Sequence, residues 1–194
     1  TLYYELKRAT PNLRFHFDGE NHQTLRKSDL IYSKKSLSES GITRLNLDAC
    51  YGEVEVVKEE GLTAVTVEAT VGVPKGKSFE LRSYREGSTL TVGFPEGYNP
   101  DGDLIVEIGY KVRVPEPIEL RLNHRYGTAL LSDLKGVEID DRFSRIELSQ
   151  IDSLKGTLKN GSATIDGVGG DASPDASFGE LTLENVKGTV KLTS

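Results

Sequence analysis

The chain is 194 residues long, with 36% apolar residues and 24 Lys and Arg against 30 Asp and Glu, a formal net charge of −6. That length can bury a sizeable core, while an acidic balance without a basic stripe argues against nucleic acid as a partner. No apolar run approaches the roughly 18 to 20 residues of a membrane span, and a single cysteine, Cys50, excludes an internal disulfide without excluding any compartment.

In chain order, residues 1–40 are the least patterned. Leu13, Phe15 and Phe17 alternate ahead of Asp18-Gly19-Glu20-Asn21, which reads as a strand and a turn. This segment carries 7 Lys/Arg and 5 Asp/Glu, a balance of +2, whereas residues 41–194 carry 17 against 25, a balance of −8. A basic arm can dock on an acidic body, but so small a difference is more simply chance. Residues 1–40 read as an N-terminal arm or strand and residues 41–194 as a single domain. The sequence holds no Met, as a removed signal peptide or a trimmed chain would each leave it.

The first recurring unit is Leu45-x-Leu47-x-x-x-Tyr51-Gly52-x-Val54-x-Val56, which matches Leu120-x-Leu122-x-x-x-Tyr126-Gly127 after 75 residues. Between them the spacing predicts longer strands or hairpins over 64–71, 78–84, 88–94 and 104–114, separated by turn clusters at 72–76, 86–87 and 95–103. From Tyr126 onward the unit recurs with first residues Tyr126, Phe143, Asn160 and Phe178, spaced by 17, 17 and 18 residues. A fixed short period is the signature of a repeat architecture.

What repeats is a pattern of burial. Offsets +3, +5 and +8 are apolar in every copy: Ala129, Leu131, Leu134; Ile146, Leu148, Ile151; Ala163, Ile165, Val168; and Leu181, Leu183, Val186. The intervening +4 positions are mostly polar, so each copy holds a strand with one dry face. Offsets −6 and −4 add a second strand through Leu120 and Leu122, then Val137 and Ile139, weakening at Gly156 and Pro174. Small residues at +1 (Gly127, Ser144, Gly161, Gly179) and +10 (Gly136, Ser153, Gly170, Gly188) mark corners where positive φ is expected. The expected fold is all-β, a β-solenoid of stacked 17 to 18 residue coils clearest over 120–194, with longer strands or hairpins in the N-terminal half.

These Tyr-Gly, Phe-Ser, Asn-Gly and Phe-Gly coils with the Leu-x-Leu strand before them resemble the bacterial DUF4097 β-strand-repeat proteins, often labelled adhesins, and more distantly the head GIN adhesin-like domain. The resemblance covers roughly residues 30–194 and departs from the pattern at Asn160 and at Pro174-Asp175. It implies a bacterial, exported protein at the periplasm or cell surface. It brings no catalytic residues, cofactor or metal.

Candidate chemistry is sparse. Asp133, Asp140, Asp141, Asp152, Asp166, Asp171 and Asp175 invite a carboxylate pair for glycoside hydrolysis or a calcium cluster, but they read as turn or solvated residues. Asn99-Pro100-Asp101-Gly102-Asp103 has its glycine misplaced for an EF-hand and reads as a hairpin turn. His16, His22 and His124 are scattered, and Cys50, read as a small semi-buried residue at an outward or corner position, has no evident catalytic partner. The column Tyr51, Tyr126, Phe143, Asn160 and Phe178 is the candidate ligand-binding feature. Rings on the outside make a stacking platform for sugars or an apolar patch; rings inside fill the corners, which regular recurrence favours.

Two functions follow: a non-enzymatic, extracytoplasmic adhesin-like or scaffold module binding a protein, glycan or envelope component, with self-association through its terminal coils as a variant, or a carbohydrate-active lyase or hydrolase on a β-helix. The second requires two carboxylates and a basic residue converging in a groove. The first is preferred.

Overall fold

A computed structural model describes residues 27–102, 104–177 and 179–191. Leu13, Phe15, His16, Phe17, His22, Asp103 and Phe178 lie outside the described residues. The described chain is all-β: after a 3₁₀ turn at Lys27–Asp29 it forms fourteen strands joined in one largely parallel, nearly closed barrel-like sheet. The strands are β1 (Leu30–Glu39), β2 (Arg44–Lys58), β3 (Val65–Pro74), β4 (Arg82–Glu86), β5 (Thr89–Gly93), β6 (Glu107–Val114), β7 (Glu119–Arg125), β8 (Thr128–Leu134), β9 (Gly136–Arg142), β10 (Arg145–Ile151), β11 (Leu154–Lys159), β12 (Ser162–Val168), β13 (Ala172–Ser177) and β14 (Glu180–Val186). Their order along the main path is β13-β11-β9-β7-β2-β8-β10-β12-β14.

The 15-residue β2 is the hinge of this order. Its first half, Arg44 to Cys50, pairs in parallel with β7, and its second half, Glu53 to Val56, pairs in parallel with β8. From there each strand pairs in parallel with its counterpart one repeat later, so Leu131, Leu148, Ile165 and Leu183 occupy one register position, as do Leu120 and Val137. Stacked equivalent aliphatics on parallel strands form continuous apolar columns: Leu131, Leu148 and Ile165 are all buried. Leu181, Leu183 and Val186 of β14, an edge strand, are only partly buried. Pro174, which lacks a backbone donor, sits in β13 at the other edge of the path, where one side of the strand needs no ladder bond.

Two features differ from the sequence reading. Left-handed backbone occurs at offset 0, at Tyr51, Tyr126, Phe143 and Asn160 (φ 58, 56, 61 and 55), and at offset +7, at Asp133, Gln150, Gly167 and Asn185 (φ 55, 52, 82 and 52), rather than at the small residues of +1 and +10. The +7 residue interrupts the two-residue alternation, which is how +5 and +8, three apart, both turn inward. The small +1 residues serve close approach instead. A Cβ on Gly127, Gly161 or Gly179 would lie 2.2 Å from the carbonyl oxygen of Gly52, Ser144 or Gly161 respectively, in the preceding repeat.

The N-terminal half covers the other edge of β2. β5 pairs in parallel with its first half and β6 with its second, and the antiparallel neighbours β4 on β5, and β3 then β1 on β6, extend the sheet outward. β4 begins at Arg82 rather than 78, with Leu81 buried just ahead of it. Residues 95–102 are not part of a hairpin turn, because β5 and β6 do not pair with each other; both strands pair with β2. Its fold is local: the Asp101 amide donates to Asn99 Oδ1 at 3.0 Å, and the Tyr98 hydroxyl donates to the Leu104 carbonyl at 3.0 Å.

Candidate functional site

Tyr51, Tyr126 and Phe143 lie at the same corner in consecutive repeats and stack face to face. Ring centroids are 4.8 Å apart at an interplanar angle of 17° for Tyr51 and Tyr126, and 5.0 Å apart at 6° for Tyr126 and Phe143. The spacing is that of neighbouring strands, so the sheet itself sets the ladder. The corner amides are satisfied by the next repeat: Tyr126 N–H donates to the Arg142 carbonyl, Phe143 N–H to Lys159 and Asn160 N–H to Ser177, at 3.0, 2.9 and 3.0 Å. Exposure rises along the column. Tyr51 and Tyr126 are half-buried, Phe143 is 45% exposed, and Asn160, which carries no ring, is exposed. The column therefore neither fills a corner from inside nor stands free outside. It is a half-sunk ladder ending in an exposed ring, and its next aromatic, Phe178, lies outside the described residues.

Backbone geometry does not call for aromatics here. The left-handed conformation costs a bulky L-residue about 1–2 kcal/mol, and at +7 the same conformation is filled mainly by Asp, Asn and Gly, the residues that adopt it most cheaply. One stacked contact returns about 0.5–1.5 kcal/mol. Burial adds to that for the two tyrosines, but Phe143 has one described stacked neighbour and leaves nearly half its surface in water. Its placement is the least accounted for by folding alone.

Beside the ladder runs a basic column. Arg125, Arg142 and Lys159 share one register position, each immediately before the corner residue. All three are half-buried, and among the described residues none forms an ion pair. Arg125 Nε and Nη1 and Arg142 Nε are buried without a hydrogen-bond partner among the described residues. Burial pushes the Tyr126 phenol up, the Asp101 carboxylate adds to this, and Arg125 and Arg142 oppose it. Tyr51 shifts the same way, chiefly through burial. Both phenols are thus neutral hydrogen-bonding groups.

The candidate aspartates are dispersed. Asp133, Asp140, Asp152, Asp166 and Asp171 are exposed on different strands and turns, and Asp175 is partly buried. Asp141 is the correction: it is 1% exposed, inside β9, with its Oδ1 3.1 Å from Nδ1 of fully buried His124. Offset −2 points inward as −4 and −6 do, and it holds Ala49, His124, Asp141 and Leu158. The period-two alternation, carried one step further, would have placed both polar residues inside. Cys50 also differs from its semi-buried reading: it is fully buried, its thiol lies 3.1 Å from the Val106 carbonyl, and burial pushes its pKa up to about 12. Among the described residues no three His, Cys, Asp or Glu side chains converge as a metal site would require.

No family model matches the chain. No curated protein matches it either. Among solved structures it is similar to a candidate cell adhesion protein from Clostridium sporogenes, at 11% identity over 84% of this chain and 99% of that one, with a TM-score of 0.40. It is also similar to a candidate adhesin from Parabacteroides merdae (14% identity, 84% and 96% covered, TM-score 0.31) and a candidate lipid-binding protein from Parabacteroides distasonis (10%, 84% and 97%, 0.29). Likenesses this remote assign no function to the chain.

Proposed function

We propose that this chain is a non-enzymatic, extracytoplasmic β-solenoid module of the DUF4097 type, which binds a glycan or other envelope component through the corner ladder of Tyr51, Tyr126 and Phe143, in the sequence column that also holds Asn160 and Phe178. Support for the solenoid comes from parallel pairing at a 17 to 18 residue offset through four consecutive repeats. The observation that carries the binding role is Phe143, an exposed ring held at a strained left-handed corner in line with two others. Aromatic surface of this kind, amphipathic at the tyrosines, is suited to pyranose faces and partner apolar patches.

The test is a screen of the purified chain against glycans and envelope fractions, repeated with Tyr126→Ala and Phe143→Ala. Loss of a binding signal in folded variants supports the ladder; an unchanged signal discards it. Localisation is tested separately, by fractionating cells that express the native gene.

A further inference from the structure

The ladder breaks at Asn160. Three rings occupy consecutive repeats at strand spacing, the third is 45% exposed, and the residue one repeat further on is an exposed amide side chain. A six-membered ring that turns an apolar C–H face toward Phe143 would take the position the missing rung leaves. Flanking that position are Arg142 and Lys159, adjacent in register and without a described carboxylate partner, although the chain as a whole is acidic. A pair of cations with no carboxylate partner among the described residues, beside an exposed aromatic face, selects for a ligand carrying both an apolar face and an anionic group.

Resting on the ladder as a binding surface, we propose that the gap at Asn160 is a subsite for a carboxylated sugar, a uronic acid residue of an acidic polysaccharide. Its pyranose face packs on Phe143 and its carboxylate is held by Arg142 and Lys159. Among the described residues neither cation is engaged in an ion pair: those of the neighbouring outer face join Arg121 and Lys155 to Glu138, and Arg145 to Glu147. Asp140, two residues before Arg142 on the same strand face, and Asp175, in the same register position on β13, are nearby negative charges that the ligand must compete with.

The test compares trigalacturonate with its methyl ester, the same sugar rings without the charge, by titration calorimetry on the full chain. Three variants accompany it: Arg142→Gln with Lys159→Gln, Phe143→Ala, and Asn160→Tyr, which fills the gap with the residue type that two earlier repeats already hold in that conformation. The acid is expected to bind at least ten-fold more tightly than the ester, to weaken as salt rises, and to be lost in all three variants while their circular dichroism is unchanged. Equal binding of acid and ester overturns the charged subsite and leaves the ladder standing. Binding that survives Asn160→Tyr places the ligand elsewhere and overturns the subsite. If neither sugar binds, the subsite is refuted, and the ladder is judged by the wider glycan and envelope screen.

Discussion

Replacing His124 by Leu removes the described partner of a carboxylate that is 1% exposed. Asp141 sits on the inward face of β9, level with Leu158 on β11, so without the imidazole its carboxyl loses its described hydrogen-bond partner in an apolar interior. Removing one member of a buried pair typically costs about 3–5 kcal/mol, whereas replacing both by aliphatics is close to neutral. The double variant His124→Leu/Asp141→Leu should therefore recover most of what His124→Leu loses, with a coupling energy of about 2 kcal/mol or more. For a domain of this size the single variant should melt roughly 6–20 °C lower. Urea denaturation of wild type, both single variants and the double, each fitted for its midpoint and slope, gives the cycle. A His124→Leu cost below about 1 kcal/mol, or additive single effects, would refute the claim that the pair is sequestered. It would mean that water reaches Asp141 through the small cleft it lines with Leu158, Ala163 and Ala176.

Leu148→Ala removes a side chain 2% exposed in the middle of the longest aliphatic column and should cost about 2–5 kcal/mol by chemical denaturation; a cost under about 1 kcal/mol would show that the interior is loosely packed. Gly161→Ala brings a methyl group within 2.2 Å of the Ser144 carbonyl and should cost about 1–3 kcal/mol, while the same change at Gly136, whose Cβ would meet only the Ser153 hydroxyl at 2.9 Å, should cost less. If the two rank in reverse, backbone approach between repeats is not what selects glycine at +1. Cys50, with its pKa pushed up to about 12, is a neutral thiol at pH 8 and buried besides. It should react with a disulfide reagent only after unfolding, and rapid labelling of the native chain would contradict its place behind β6.

The apolar columns were legible because aliphatics at +3, +5, +8, −6 and −4 are chemically unambiguous, and their spacing of 17 and 18 residues translates directly into register. Offset −2 was not, because His124 and Asp141 look like surface residues until each is known to face the other across one strand spacing. The corner conformations are hidden in the sequence for a related reason. Glycine signals positive φ only when backbone conformation is the constraint, and here Gly127 and Gly161 answer a steric one, while the left-handed positions are held by Tyr126 and Phe143. The ring column was found as a recurrence, but its depth depends on tertiary surroundings that the repeat does not encode. Residues 64–114 read as longer strands or hairpins: β4 and β5 do pair as an antiparallel hairpin, but alternation does not tell that β5 and β6 also pair with β2, a strand 45 or more residues away.

Most of β2 is flanked on both sides, by β5 and β6 on one and by β7 and β8 on the other, whereas β1, β4, β13 and β14 each have one strand neighbour among the described strands. Unravelling should consequently begin at these rims and travel inward a storey at a time, with the rungs at Tyr51 and Tyr126 the last to be disturbed. Wear at the periphery would shorten the molecule before it blunted the surface that grips.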